Sequence, residues 1–145
     1  MKTINHEAQP REEWRTGVVT RMLVSAMTGS HDLCIFEQWC APGTGAPTHS
    51  HRVEEVLSVL SGKMEVWLGD MHETLVQSES IIVPAGTEHG FRNAGKGELH
   101  VQAILAAPYF EAIRSPSGEV NVKWNSQPTP SVQSPQVGAG CAVEL

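Results

Sequence analysis

The sequence is poor in charged residues and has no long apolar run. Only 18% of its 145 residues are charged, and 10 Lys and Arg against 16 Asp and Glu leave a net charge of −6. A protein surface that binds nucleic acid needs clustered positive charge, and so does one that binds an anionic membrane. We therefore expect neither partner. The longest apolar run is Ala103 to Ala107, far below the about 18 residues of a membrane span.

Cysteine is also scarce, with three copies at Cys34, Cys40 and Cys141. Cys34 and Cys40 are six residues apart in a predicted strand, which separates them by about 20 Å. A disulfide requires Cα atoms within about 7 Å, so we expect reduced thiols in a reducing compartment. The N-terminal segment MKTINHEAQPREEW lacks the apolar core of a signal peptide. Together these features predict a cytoplasmic protein.

Glycine and proline are abundant, and they separate short apolar segments at regular spacing. Thirteen Gly and nine Pro favour many turns and short strands, the pattern of an all-β barrel or sandwich. The predicted strands are Val18–Ser25, Leu33–Ala41, Thr48–His51, Glu55–Ser61, Lys63–Gly69, His72–Gln77, Ser80–Val83, Glu88–Asn93 and Glu98–Leu105.

This pattern predicts one domain with three parts. Residues 1–17 form an irregular N-terminal arm, residues 18–107 form the barrel, and residues 108–145 form a short helix with an irregular C-terminal arm. The helix is expected at about Tyr109 to Arg114, and a short strand at Glu119–Lys123. Two polar arms, together with Trp67 on the outer face of its strand, favour a homodimer that covers the sheet edges.

Histidine is the unusual component, with seven copies. His49 and His51 are two residues apart, so on a strand both rings lie on one face and can reach one metal ion. Glu55 would be about 13 Å from His51 in an extended chain. The chain must therefore turn at residues 52–54 for Glu55 to join them. A Pro-x-Gly turn at Pro84 would direct the strand that carries His89 toward the same point.

These segments resemble the paired motifs of the cupin superfamily. Nine of the ten fixed motif positions match, and Ser78 stands where the family usually has Gly. The matching residues are Gly43, His49, His51, Glu55, Gly62, Pro84, Gly86, His89 and Asn93. The resemblance implies an antiparallel jelly-roll barrel, also called a double-stranded β-helix, with a metal ion in its mouth.

The resemblance also implies that His49, His51, Glu55 and His89 are the metal ligands. Three imidazoles and a carboxylate suit Fe, Mn, Ni or Zn as a single divalent ion. Four protein ligands would leave room for substrate, water or dioxygen in a six-coordinate site. We therefore predict a metal-dependent enzyme that acts on a small molecule, with the ion as Lewis acid or activator of dioxygen. A non-redox isomerase or lyase and a non-catalytic cupin that binds or senses a ligand are the alternatives.

The remaining candidates are weaker. His100 could be an acid or base in the pocket or a polar group on the outer face of its strand. Glu88 and Tyr109 are further catalytic candidates near the expected mouth. Gln38 and Gln102 could bind substrate if their faces point inward.

Overall fold

The computed structural model describes residues 1–126, and these form twelve strands in two sheets. Cys141 and the part of the predicted C-terminal arm beyond residue 126 lie outside the described residues. The strands are β1 Arg11–Arg15, β2 Val18–Val24, β3 Cys34–Cys40, β4 Gly45–Ser50, β5 Glu55–Ser61, β6 Lys63–Leu68, β7 Met71–Val76, β8 Ser80–Val83, β9 His89–Asn93, β10 Leu99–Leu105, β11 Phe110–Arg114 and β12 Val120–Lys123. One-turn 3₁₀ helices occupy His6–Ala8 and Ala26–Thr28. No helix among residues 1–126 is long and apolar enough to cross a membrane.

Each sheet has six strands, and every neighbouring pair is antiparallel. One sheet has the order β1-β2-β3-β10-β5-β8, and the other has the order β12-β11-β4-β9-β6-β7. Consecutive strands β4 and β5 thus belong to different sheets, as do β8 and β9, which is the jelly-roll arrangement. The predicted all-β jelly-roll fold is confirmed.

The core lies between the two sheets, and strict alternation of side chains builds it. Along β10, Leu99, Val101, Ala103 and Leu105 are buried, while the residues between them are half-buried on the outer face. Strand β6 alternates in the same way with Met64 and Val66 inward. All nine strands predicted between residues 18 and 105 are present, with bounds that differ by a few residues at most.

The predicted helix at Tyr109 to Arg114 is wrong, because Phe110–Arg114 is strand β11. This segment pairs with β4 on one side and with β12 on the other. Backbone pairing on both sides outweighs the weak local preference for helix. The predicted short strand at Glu119–Lys123 is present as β12.

Both arms contribute structured parts, so the prediction of irregular arms is wrong for β1 and for β11. β1 pairs with β2 at the edge of the first sheet. Trp14 of β1 packs against Trp124, which follows β12, with ring centroids 5.4 Å apart. Phe36 and Phe110 lie within 6 Å of Trp14 in the same cluster. Aromatic packing therefore joins the two arms to the barrel.

Ser78, at the position where the motif has Gly, keeps the backbone conformation that favours glycine. Its φ is 71°, in the left-handed region, and it lies in the turn between β7 and β8. The motif departure thus leaves the turn intact and places a strained residue in it.

Candidate metal centre

The four predicted ligands come together at one end of the barrel. One side-chain donor atom from each of His49, His51, Glu55 and His89 lies within 4.8 Å of the others. His49 and His89 are paired across β4 and β9. Glu55 begins β5 in the opposite sheet. The site therefore closes the gap between the two sheets.

Two turns bring these strands into position. The chain bends at residues 52–54, as the sequence predicts, and Glu55 returns on the next strand. The backbone amide of Gly86 donates to the carbonyl of His51 at 2.7 Å, and that of Thr87 donates to Pro84 at 3.2 Å. The Pro84-x-Gly86 turn is thus hydrogen-bonded to the backbone that carries His51, just before His89 enters β9.

The backbone fixes the orientation of all three imidazoles. Nδ1 of His49 lies 2.7 Å from the carbonyl oxygen of Pro47, and Nδ1 of His89 lies 2.8 Å from that of Thr87. Nδ1 of His51 has the same relation to the carbonyl of Glu111, on β11. A carbonyl only accepts, so each Nδ1 carries the proton and each Nε2 faces the centre of the site. This is the tautomer required of a histidine that binds metal through Nε2.

A cation between the Nε2 atoms and the Glu55 carboxylate would be stabilised by their lone pairs and negative charge. Nε2 of His49 and of His51 are 3.1 Å apart. Nε2 of His51 is 3.2 Å from Glu55 Oε2, and Nε2 of His89 is 3.0 Å from Oε1. Two donor atoms that each lie about 2.1 Å from one ion, with a right angle between the two bonds, are about 3 Å apart. The donor set and its spacing thus fit a divalent transition metal ion.

The protonation states of the buried side chains also favour a bound cation. Burial alone would raise the pKa of Glu55, but His51 and His89, whose Nε2 atoms donate to the carboxylate when the rings are protonated, outweigh it and lower that pKa to about 2. Burial and the neighbouring His89 and His51 lower the pKa of His49 to about 4. Burial also opposes the charge on His51, but the Glu55 carboxylate outweighs it and raises the pKa of His51. The site is thus anionic around Glu55, and a proton on His51 competes with a metal ion for the same lone pair.

The weaker candidates lie away from this cluster. His100 and Gln102 are on the outer face of β10, and His100 stacks on Trp39 with centroids 4.7 Å apart. His100 is also five residues from Leu105, the β10 residue that pairs with Glu55, or about 17 Å along the strand. Gln38 points into the barrel, where its amide nitrogen donates to Thr20 Oγ1 at 2.9 Å.

Glu88 and Tyr109 lie at the rim. Glu88 is exposed and accepts a hydrogen bond from the Ser115 hydroxyl at 2.6 Å. Tyr109 lines a small separate cavity with Arg52 and Glu111. Neither side chain belongs to the cluster of ligand atoms.

A cavity of about 100 Å³ adjoins the cluster through His49. It lies between β1 of one sheet and β4, β11 and β12 of the other. Its lining is Trp14, Arg15, Pro47, His49, Phe110, Ala112, Arg114, Glu119 and Asn121. Sequence reasoning missed all of these except His49. Apart from Pro47, which lies in the predicted barrel, the missed residues come from the segments predicted to be arms. Arg15 and Arg114 are 99 positions apart in sequence, and no local pattern links them.

Comparison with known proteins agrees with this architecture. The family model described as a cupin domain matches residues 37–105, the stretch that contains strands β4 to β10 and all four predicted ligands. The chain contains a cupin domain.

Individual cupins resemble the chain at low sequence identity. Auxin-binding protein 1 of Arabidopsis thaliana is 27% identical over 110 residues, a match that covers 68% of this chain and 56% of that protein. The chain thus spans little more than half the length of this relative. The polyketide cyclase RemF from Streptomyces resistomycificus superposes with a TM-score of 0.64 at 24% identity, over 72% of this chain and 78% of the cyclase. Oxalate decarboxylase of Bacillus subtilis, a protein with Mn(II) centres, superposes with a TM-score of 0.67 at 15% identity, over 76% of this chain and 31% of the decarboxylase.

Proposed function

We propose that this cupin is a metal-dependent enzyme that acts on a small molecule. His49, His51, Glu55 and His89 would hold one divalent ion, and Fe, Mn, Ni and Zn all suit this donor set. The observation that carries the proposal is the orientation of the three imidazoles by backbone carbonyls, which points three Nε2 atoms and one carboxylate at a common centre.

A bound ion would supply Lewis acidity toward a substrate oxygen or a site for dioxygen. The chain itself would do the rest. Pro47, Thr87 and Glu111 would hold the ligand rings in place through their carbonyls, and Phe110, 5.7 Å from the His51 ring, would exclude water from one side. The cavity beside His49 would admit the substrate. A non-redox isomerase or lyase reaction fits the same arrangement and differs only in whether dioxygen is consumed.

The test is metal content and turnover in matched variants. The chelated protein is loaded with each of the four ions, and dioxygen uptake and product formation are followed with a panel of small organic acids. His51→Ala should lose both bound metal and turnover. His72→Ala is the matched control, because His72 is exposed on the outer face beside Glu65 and should change neither. Wild-type protein that binds no ion, or His51→Ala protein with full turnover, would contradict the proposal.

The second candidate is a cupin that binds or senses a ligand without converting it. The observation that favours it is the similarity to a relative whose name records binding of auxin. Retention of one ligand per chain without product, in metal-loaded protein, would support this alternative. Product formation that depends on His51 would reject it.

Assembly and location complete the proposal. Trp67 is half-buried over Gly90, and its indole nitrogen donates to Thr48 at 2.9 Å, so the homodimer expected from this Trp needs another surface. A row of apolar side chains on the outer face of the first sheet offers one. Ile35, Ile104, Val56 and Ile82 are successive cross-strand neighbours there, and Ile82 is 61% exposed. Light scattering should give a dimer that Ile82→Asp dissociates, and a wild-type monomer would refute the dimer.

The cytoplasmic location stays a prediction, supported by two buried free thiols, Cys34 and Cys40.

A further inference from the structure

The cavity beside His49 carries two arginines that have no ion-pair partner among residues 1–126. Among residues 1–126, neither Arg15 nor Arg114 has a carboxylate oxygen within 4.0 Å of its guanidinium, whereas Arg21, Arg52 and Arg92 all have one. The chain has a net charge of −6. Two such arginines beside one small cavity therefore make that cavity locally positive on an acidic protein.

The backbone of β4 holds Arg15 in place. Its Nε donates to the carbonyl of Gly45 at 2.8 Å, which fixes the side chain against β4 and leaves the two terminal nitrogens to bind something else. The side chain is half-buried. Burial lowers the pKa of Arg15, the Cys40 side chain opposes this, and the charge of Arg114 lowers it further. Two like charges that repel each other at a cavity would both be stabilised by an anion between them.

Arg114 reaches the same cavity from the other sheet. It is directly opposite His49 in the pairing of β11 with β4. The order around the opening is therefore Arg15 on β1, His49 on β4 and Arg114 on β11. Asn121 on β12 adds a neutral hydrogen-bonding group, and Glu119 is the one acidic side chain in the lining.

The rest of the lining is apolar. Trp14 and Phe110 meet edge to face with centroids 5.0 Å apart, and Pro47 and Ala112 complete this side. The cavity volume of about 100 Å³ is of the same order as the roughly 150 Å³ cavity that holds a benzene molecule. The space suits a ligand of one ring, or an aliphatic body of that size.

From this geometry we infer that the site takes a small carboxylic acid with an apolar or aromatic body, whose carboxylate is bound by Arg15 and Arg114. The guanidinium fork matches the two oxygens of a carboxylate, and Trp14 and Phe110 contact the body. The inference deepens the proposed function and rests on it, because the same cavity would deliver the substrate to the ion.

The test measures binding in metal-free protein, so that a bond between carboxylate and metal cannot imitate the arginines. Phenylacetate and its uncharged analogue phenylacetamide are titrated while tryptophan fluorescence and heat are recorded. Phenylacetate should bind about 10- to 100-fold more tightly, the usual size of charge-assisted hydrogen bonds. Equal affinity for the two probes would overturn the inference. So would tighter binding of inorganic phosphate than of phenylacetate, because that would assign the arginines to a different anion.

Variants separate the arginines from the general charge of the protein. Arg114→Gln changes an exposed side chain and should lower phenylacetate affinity about 10-fold with phenylacetamide unchanged. Arg15→Gln should do the same, and Glu119→Gln should raise phenylacetate affinity. Arg92→Gln is the matched control, since Arg92 is paired with Glu65 on the outer face at 2.7 Å. If Arg92→Gln weakens binding as much as Arg114→Gln, the effect is not local and the inference fails.

These results distinguish the failure of this inference from the failure of the proposed function. Metal stoichiometry and turnover report on His49, His51, Glu55 and His89, whereas acid-over-amide discrimination in metal-free protein reports on the two arginines. Protein that binds metal but prefers phenylacetamide would refute the inference alone.

Discussion

Replacement of Glu55 by Gln is the sharpest probe of the metal centre. Glu55 is the only carboxylate in the cluster, is 3% exposed, and contacts His51 and His89 through its two oxygens at 3.2 and 3.0 Å. Glutamine has nearly the same shape, so the barrel should remain folded. It removes the one negative charge that offsets a divalent ion in a buried site.

The expected loss can be worked out from the role of this residue. Loss of an outer residue that merely supports a metal ligand costs 10- to 100-fold in metal affinity. Loss of a ligand should cost at least about 100-fold, which is about 2.7 kcal/mol of stabilisation when the ion is in excess. For a chain of this size about 1 kcal/mol shifts the melting temperature by roughly 3 °C. Glu55→Gln should therefore reduce the metal-induced rise in melting temperature by about 8 °C.

The assay is thermal unfolding by circular dichroism, with and without Mn(II), together with metal content by mass spectrometry. Glu65→Gln is the matched control, because Glu65 is also a paired glutamate but lies on the outer face with Arg92 and His72. It should keep the full metal-induced shift. A Glu55→Gln protein with the same shift as wild type would refute the assignment of the centre.

Three further predictions concern the site and the turns that hold it. Metal affinity should be greatest above the raised pKa of His51 and should fall at least tenfold per pH unit below it, because protons displace the ion. The fall should steepen below about pH 4, where His49 also becomes protonated. A pH-independent affinity measured by calorimetry would contradict this. Asn93→Ala should lower the free energy of unfolding by about 3 kcal/mol, because the buried amide bridges Cys40, Gly95 and Gly97 at 2.8 to 2.9 Å; urea unfolding that shows a loss under about 1 kcal/mol would reject it. Ser78→Gly should stabilise the protein by about 0.5–1 kcal/mol, because glycine adopts a φ of 71° without strain; an unchanged or lower urea midpoint would be the contrary result.

The sequence predicts that the four candidate ligands cluster, and much of that information is local. His49 and His51 need only the two-residue repeat of a strand to share a face, and the Pro84-x-Gly86 turn needs only its own residues. Glu55 required a turn at residues 52–54, and the turn is there.

The faces of the other strands could not be predicted in the same way. Alternation along β10 shows that His100 and Gln102 share one side, but either side could have been the inner one. Tertiary packing decided it, because the side chains of Val101 and Ala103 fill the space between the sheets. Gln38 is inside, yet its amide is already satisfied by Thr20, a partner 18 residues away.

By itself, then, the sequence determined an all-β fold and its turns from spacing within short segments, and the resemblance of two motifs to the cupins indicated which four side chains would converge. Only the tertiary structure decided that the ends of the described chain complete the barrel. Trp14 and Arg15 on β1 meet Phe110 and Arg114 on β11 in the cavity beside His49. Contacts across about a hundred residues leave no periodic trace in the sequence. The four candidate ligands thus lie in two short motifs between residues 49 and 89, whereas the cavity beside His49 is built from segments about a hundred residues apart.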